Sequence, residues 1–324
     1  MASGLTHILL TKKLQDHLQD GDLKNILAFA ADSFQVGAVA PDLPYASIVD
    51  DDFFFSNESS LADDFHYRAT NQIPLLSLKK LKELNGKIET ELNYHMFSFF
   101  LGYISHVVAD GIIHPFVRDK VGEYNENQAA HRSLEMQLDV LFFEELTKKS
   151  GFASELNYTN MHDELENFLS LSYKNDIAHS FSELINTVYQ QNYSIDKILG
   201  WIKGLHRMFE IAEGDHPRFY RVLEANSFTY RNRADIDFDN ATKLNKPKDR
   251  ASNFLNTSEI NFFDDCLPQY FKSFVPIAEK AFEYVFQKGM VLNERDIPAI
   301  NLDTGRLLPS NNLDTIPAFW ATKN

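Results

Sequence analysis

Between Tyr103 and Phe116 the chain reads Tyr-Ile-Ser-His-Val-Val-Ala-Asp-Gly-Ile-Ile-His-Pro-Phe, which places His106, Asp110 and His114 at i, i+4 and i+8 among apolar residues. Each step of four advances a helix by about 40°, so the two imidazoles and the carboxylate share one helical face. Groups of this kind are costly to bury unless something compensates them, and a divalent cation does that well. His131 and Glu135 repeat the i, i+4 spacing further along. A lone His-x-x-x-Asp pair reads first as a hydrogen-bonded core histidine. Two such pairs with His114 between them read as a metal centre.

These residues need helices to hold them, and helical periodicity dominates the chain. Apolar faces run over Leu5 to Leu18, Leu23 to Phe34, Leu75 to Leu84, Ile88 to Val117 and Ala129 to Leu146. Further helices fit Met161 to Tyr173, Ala178 to Tyr189, Ile195 to Ile211, Pro217 to Asn226 and Ile260 to Phe286, the last with Ser258 as a candidate N-cap. Alternating strand patterns are scarce, so the expected fold is all-α, a multi-helix bundle enclosing the metal site. The polar stretch Asn232 to Thr257 reads as a long loop. The expected organisation is one helical domain over residues 1–290 and an irregular C-terminal tail over 291–324 that contains Pro298, Pro309 and Pro317.

Composition narrows the chemistry. The formal charge of −15 argues against binding duplex nucleic acid or clinging electrostatically to anionic lipid. A single cysteine, Cys266, excludes an internal disulfide and a thiolate zinc site, so any metal must rest on His, Asp and Glu. No basic start followed by an apolar stretch marks a secretory signal, and no apolar run approaches the ~20 residues of a membrane span. A soluble protein is expected, cytoplasmic or exported by a non-classical route.

Three further motifs precede the paired helices: Thr6-His7, Gly37-Ala-Val-Ala-Pro41-Asp42-Leu-Pro44 and Asp63-Asp64-Phe-His66-Tyr67. Taken in order with Gly102-Tyr-x-x-His106-x-x-x-Asp110-x-x-x-His114-Pro and His131-x-x-x-Glu135, they resemble the zinc-dependent phospholipase C family. They also resemble the catalytic domain of glycosylphosphatidylinositol-specific phospholipase D. The resemblance covers residues 4 to 145. It implies that Asp42, His66, His106 and Asp110 hold one zinc, that His114, His131 and Glu135 hold a second, and that His7 with a bridging Asp110 forms part of a third. Nitrogen and carboxylate donors of this kind suit zinc. Secreted members complete their third zinc with the amino group and carbonyl of an N-terminal tryptophan. This sequence starts Met-Ala-Ser-Gly-Leu, so two zinc ions are expected and the third is left open. An aromatic residue follows the Pro-Asp motif in choline-preferring members, whereas Leu43 stands here.

The resemblance implies phosphodiester hydrolysis of a phospholipid head group by metal-activated water, with Asp42 orienting or deprotonating that water. Phospholipid is then the substrate, membrane contact is transient, and no stable nucleic-acid partner is expected. The alternatives on the same scaffold are cleavage on the phospholipase D side, a single-strand nuclease, and a non-catalytic module that keeps the metal for folding. Among the other residues, Asp139 extends the His131 face and reads as an acceptor that orients a ligand imidazole or as a surface carboxylate. One of Asp63 and Asp64 reads as an N-cap. His17 and His95 read as core or rim residues, and Phe53 to Phe55 as a loop over the metals or an anchored surface loop.

Overall fold

The computed structural model describes residues 4–49, 58–150, 163–212, 230, 233–245 and 259–321. Its longest element is α6, Thr90–Val121, buried over almost its whole length from Asn93 to Asp119. Among the described residues it is the one helix long and apolar enough to cross a membrane, and the qualifying stretch is entirely inside the protein. Its apolarity therefore answers to a core. The bundle is built round it, with α1 (Gly4–Leu14), α3 (Ala31–Ala38), α5 (Gln72–Leu84), α7 (Gln128–Ser150) and α12 (Leu267–Phe286) all packed on it. Between these lie α2 (Asp22–Phe29), a 3₁₀ segment (Ala40–Val49) and α4 (Ser59–Tyr67). Further on come α8 (Asp163–Ser170), α9 (Lys174–Tyr189) and α10 (Ile195–Ala212).

The contact between α3 and α6 is backbone on backbone. A Cβ on Gly37 would lie 1.9 Å from the Phe99 carbonyl oxygen, and one on Gly102 would lie 2.2 Å from that of Phe34. Only hydrogen fits at either position, and this close approach sets the spacing between the helix that carries His106 and the segment that carries Asp42. It also explains a departure from the expected continuous helix over Leu23 to Phe34. The chain breaks at Ala30, with φ −107° and ψ 40°, and restarts as α3 in the direction that meets α6.

Other departures lie near residue 240. The expected long loop contains α11 (Phe238–Thr242) and the strand β1 (Lys243–Asn245), which pairs antiparallel with β2 (Glu259–Asn261), Leu244 opposite Ile260. One apolar residue between two polar ones in three-residue strands is too short to register as an alternating pattern. A five-residue π turn, Phe262–Cys266, then leads into α12, and Asn261 caps it by accepting from the amides of Phe263 at 2.8 Å and Asp264 at 3.3 Å. The expected helix over Pro217 to Asn226 and the Ser258 cap lie outside the described residues. So do Phe53 to Phe55.

Replacing Gly102 by Ala should force α3 and α6 apart. Overpacking of this kind costs about 1–3 kcal/mol, to be read as a lower urea midpoint at unchanged slope. An unshifted midpoint would contradict the backbone contact.

Candidate metal centre

Asp110 has no exposure to solvent. Four imidazoles surround its carboxylate. Oδ1 lies 3.3 Å from His7 Nε2 and 3.4 Å from His114 Nε2. Oδ2 lies 3.0 Å from His106 Nε2 and 3.5 Å from His66 Nε2. One oxygen thus faces the α1 and late-α6 histidines, and the other faces the α4 and mid-α6 histidines. Asp42, from the 3₁₀ segment, reaches His66 Nε2 at 3.3 Å. Glu135, from α7, stands 4.0 Å from His114 Nε2. Donor atoms of His7, Asp42 and His106 fall within 4.8 Å of one another, as do those of His66, His106 and Asp110.

Backbone carbonyls aim the rings. The Nδ1–H of His106 donates to the Ala38 carbonyl at 2.8 Å, and that of His66 donates to Ala62 at 2.7 Å, which turns both Nε2 atoms inward. Ala38 is the residue after Gly37, so the glycine contact between α3 and α6 also supplies the acceptor that orients His106. His131 is aimed the other way. Its Nε2–H donates to Gly122 at 2.6 Å, leaving Nδ1 as the nitrogen that can ligate. Gly122 ends α6 at φ 99°, where residues with a side chain rarely sit, and this turn presents its carbonyl to His131. Ligand histidines are commonly fixed in this manner by an acceptor on the second nitrogen.

Asp139, fully buried on α7, accepts the Thr6 backbone N–H at 2.9 Å and the Thr6 hydroxyl at 2.5 Å. It therefore positions α1, and with it the neighbouring His7. His7 stacks on His106, with ring centroids 4.0 Å apart and 15° between planes.

The donor set tests as a metal site on its own geometry. His7 Nδ1 and Nε2, Asp42 Oδ1 and both Asp110 oxygens are buried without a hydrogen-bond partner, although they crowd together at 3.0–3.5 Å. Buried polar atoms are ordinarily satisfied. Converging nitrogen and oxygen lone pairs are satisfied together by cations, and the mix of imidazole and carboxylate suits zinc.

Electrostatics follow from the same crowding. Burial alone would raise Asp110, but the imidazoles of His106, His114 and His66 around it hold it well below the ordinary carboxylate range. Asp42 is likewise lowered, burial being outweighed by His106 and His66. Burial would lower His66, yet the carboxylates of Asp110 and Asp42 beside it push it up to about 10. Burial, reinforced by Asp110 and Asp139, pushes Glu135 up to about 8. Burial also drives His114 well down, and the nearby His131 contributes to that shift.

All of the sequence-predicted candidates except His131 converge through close side-chain contacts. His131 stands at the edge against Tyr124, with ring centroids 5.4 Å apart. Asp63 and Asp64 lie inside α4 and cap nothing: Asp63 accepts from the Tyr45 hydroxyl at 2.7 Å and Asp64 pairs with Arg68 at 2.8 Å. His95 shares a hydrogen bond with Ser33, and His17 stacks on Phe271. Sequence reasoning gave no role to the carbonyls of Ala38, Ala62 and Gly122; the glycines at 37, 102 and 122 were the available signal.

Residues 6–207 match the sequence profile described as zinc dependent phospholipase C. The chain belongs to the zinc-dependent phospholipase C family. No curated protein and no solved structure matches it significantly. The family is one of zinc-dependent hydrolases, and its match spans every element that carries a candidate ligand, from α1 to α7, and continues into α10.

In the metal-free protein His66 and Glu135 both hold protons near neutral pH, and each must release its proton to ligate. Zinc affinity should therefore strengthen as pH rises toward about 8, and further toward about 10. Calorimetry in buffers of different ionisation enthalpy should count roughly two protons released per chain at neutral pH. An affinity independent of pH would contradict this reading.

Proposed function

We propose that the protein is a phosphodiesterase of the phospholipase C type, cleaving phospholipid head groups at zinc that the residues around Asp110 would hold. The observation that carries this reading is the Asp110 carboxylate, each of whose oxygens faces a different pair of imidazoles. His66, His106 and Asp42 would hold one ion with one carboxylate oxygen. His114 and Glu135, joined by His131, would hold a second ion with the other, and His7 would be a donor to a third. Zinc held there supplies Lewis acidity toward a phosphodiester and toward water.

The protein's own contribution is placement and proton handling. The Asp42 side chain keeps 8% of its surface exposed, whereas that of Asp110 keeps none. Asp42 is therefore the carboxylate that solvent reaches. It is ionised at neutral pH because His106 and His66 outweigh its burial. It is placed to accept a hydrogen bond from an attacking water and to take its proton.

Tyr45 and Tyr67 pack against His66, with ring centroids 5.8 Å and 6.2 Å away. Tyr67 is 41% exposed and marks where the centre meets solvent. Its hydroxyl stays protonated, held up by burial and by Asp303 and Asp63, and so remains a donor to an approaching phosphate.

Phosphorus NMR of mixed phospholipid vesicles with zinc-loaded protein should show a water-soluble head-group phosphomonoester. Phosphatidic acid would place the cut on the D side, and no new resonance would remove the hydrolytic reading. The Asp42→Asn variant should remain folded and lose at least ~100-fold in rate, the scale of general-base catalysis. Retained activity would take Asp42 out of the mechanism.

A further inference from the structure

The family match ends at residue 207, yet residues 297–320 reach back to the metal centre. The Leu302 amide donates to the backbone carbonyl of His66 at 2.9 Å. Thr70, just beyond α4, donates its hydroxyl to the Ile300 carbonyl at 2.8 Å and accepts the Ile300 amide at 3.0 Å. On α6, Arg118 pairs with Asp303 at 2.7 Å, and the Ile112 carbonyl accepts the Trp320 indole N–H at 3.2 Å. At Gly111, beside Asp110, a Cβ would lie 2.5 Å from Ile300 Cδ1 and 2.8 Å from Phe319 Cδ2. The segment is thus a strap fixed to the two helices that carry His66, His106, Asp110 and His114, and its Asp303 is close enough to raise Tyr67 at the solvent edge of the centre.

The strap's outer side is built differently. Arg306, 2% exposed, donates to the carbonyls of Thr304 at 2.8 Å, Thr315 at 3.0 Å and Leu313 at 3.1 Å. One buried guanidinium thereby gathers positions 306, 313 and 315 and holds the loop between them rigid. At or beside these positions stand Leu307, Leu313 and Ile316, which are 53%, 38% and 53% exposed. The three aliphatic side chains are thus exposed on a loop whose backbone Arg306 ties together at 304, 313 and 315. Residues 307–321 contain no lysine or arginine, and the whole chain carries −15. An apolar surface without cations on an acidic protein does not suit anionic lipid. It suits a zwitterionic interface, entered by aliphatic side chains.

We propose that the loop 307–316 docks the protein on a zwitterionic phospholipid bilayer, with Leu307, Leu313 and Ile316 entering the interface while the strap keeps the metal centre at a fixed offset from it. This rests on the phospholipid reading of the centre for its choice of partner. The test is flotation of the metal-free protein with phosphatidylcholine vesicles, whose composition then stays constant. Wild type should float, and Trp320 emission should shift to the blue while the fully buried Trp201 stays silent. The L307S/L313S/I316S variant should partition at least ~10-fold more weakly at an unchanged melting temperature, and Ile316→Ser alone about 2-fold. Val291→Ser, at a position 70% exposed outside the loop, should float as wild type does.

Wild type that does not float, a triple variant that floats equally well, or flotation that requires added phosphatidylserine would each overturn the proposal. Should the triple variant misfold, Ile316→Ser decides, because equal flotation by that variant contradicts the loop's role. Hydrolysis of a monomeric short-chain phospholipid by the zinc-loaded protein reports on the catalytic reading separately, since it needs no bilayer.

Discussion

A carboxylate with no solvent exposure and four imidazole nitrogens within 3.5 Å is the constraint that the rest of this molecule serves. Desolvating an ionised carboxylate is expensive unless charges and donors replace the water. The imidazoles that face Asp110 come from α1, α4 and two positions on α6 itself, so the side chain ties three helices to one point. Each helix must then arrive in register with the others. The glycines at 37 and 102 let α3 and α6 meet through their backbones, and the Thr6–Asp139 bonds dock α1 on α7. A zinc cluster would complete this arrangement by satisfying the lone pairs that protein donors leave open.

The directions of the rings matter as much as their positions. Imidazole has two nitrogens, and a carbonyl on one dictates where the other points. Ala38 and Ala62 point Nε2 of His106 and His66 inward, while Gly122 reverses the choice for His131. Ala62 lies one turn before His66 within α4, whereas Ala38 and Gly122 stand where α3 and α6 end, so the aim of these rings is set by main-chain atoms. The burial of α6 follows from the same demand: a helix that carries polar ligands in a dry interior must be apolar elsewhere, which is why it resembles a membrane span in composition and is a core helix in fact.

Much of this was legible in the sequence. The i, i+4, i+8 run on α6 and the repeat on α7 depend only on helical periodicity, so they were readable without tertiary information. The motifs at His7, Asp42 and His66 carry no local signal of convergence and were recognisable only through family resemblance. The break at Ala30 was not legible, because residues 23–34 keep a helical apolar pattern across it and the cause lies in the crossing with α6. One of Asp63 and Asp64 looked like a cap because their helix start at Ser59 follows a polar, aromatic-rich stretch with no clear periodic onset. The strap was visible only as irregular composition. Its grip on His66 is backbone on backbone and its grip on α6 is made by Asp303 and Trp320, single side chains far along the chain from their partners that no motif announces.

The most direct test of the account is anomalous diffraction at the zinc edge from crystals of the zinc-loaded protein. The account predicts at least two peaks inside the bundle, one beside each oxygen of the Asp110 carboxylate, with His66 and His106 around one and His114 around the other. A single peak away from Asp110, or none within the bundle, would contradict it.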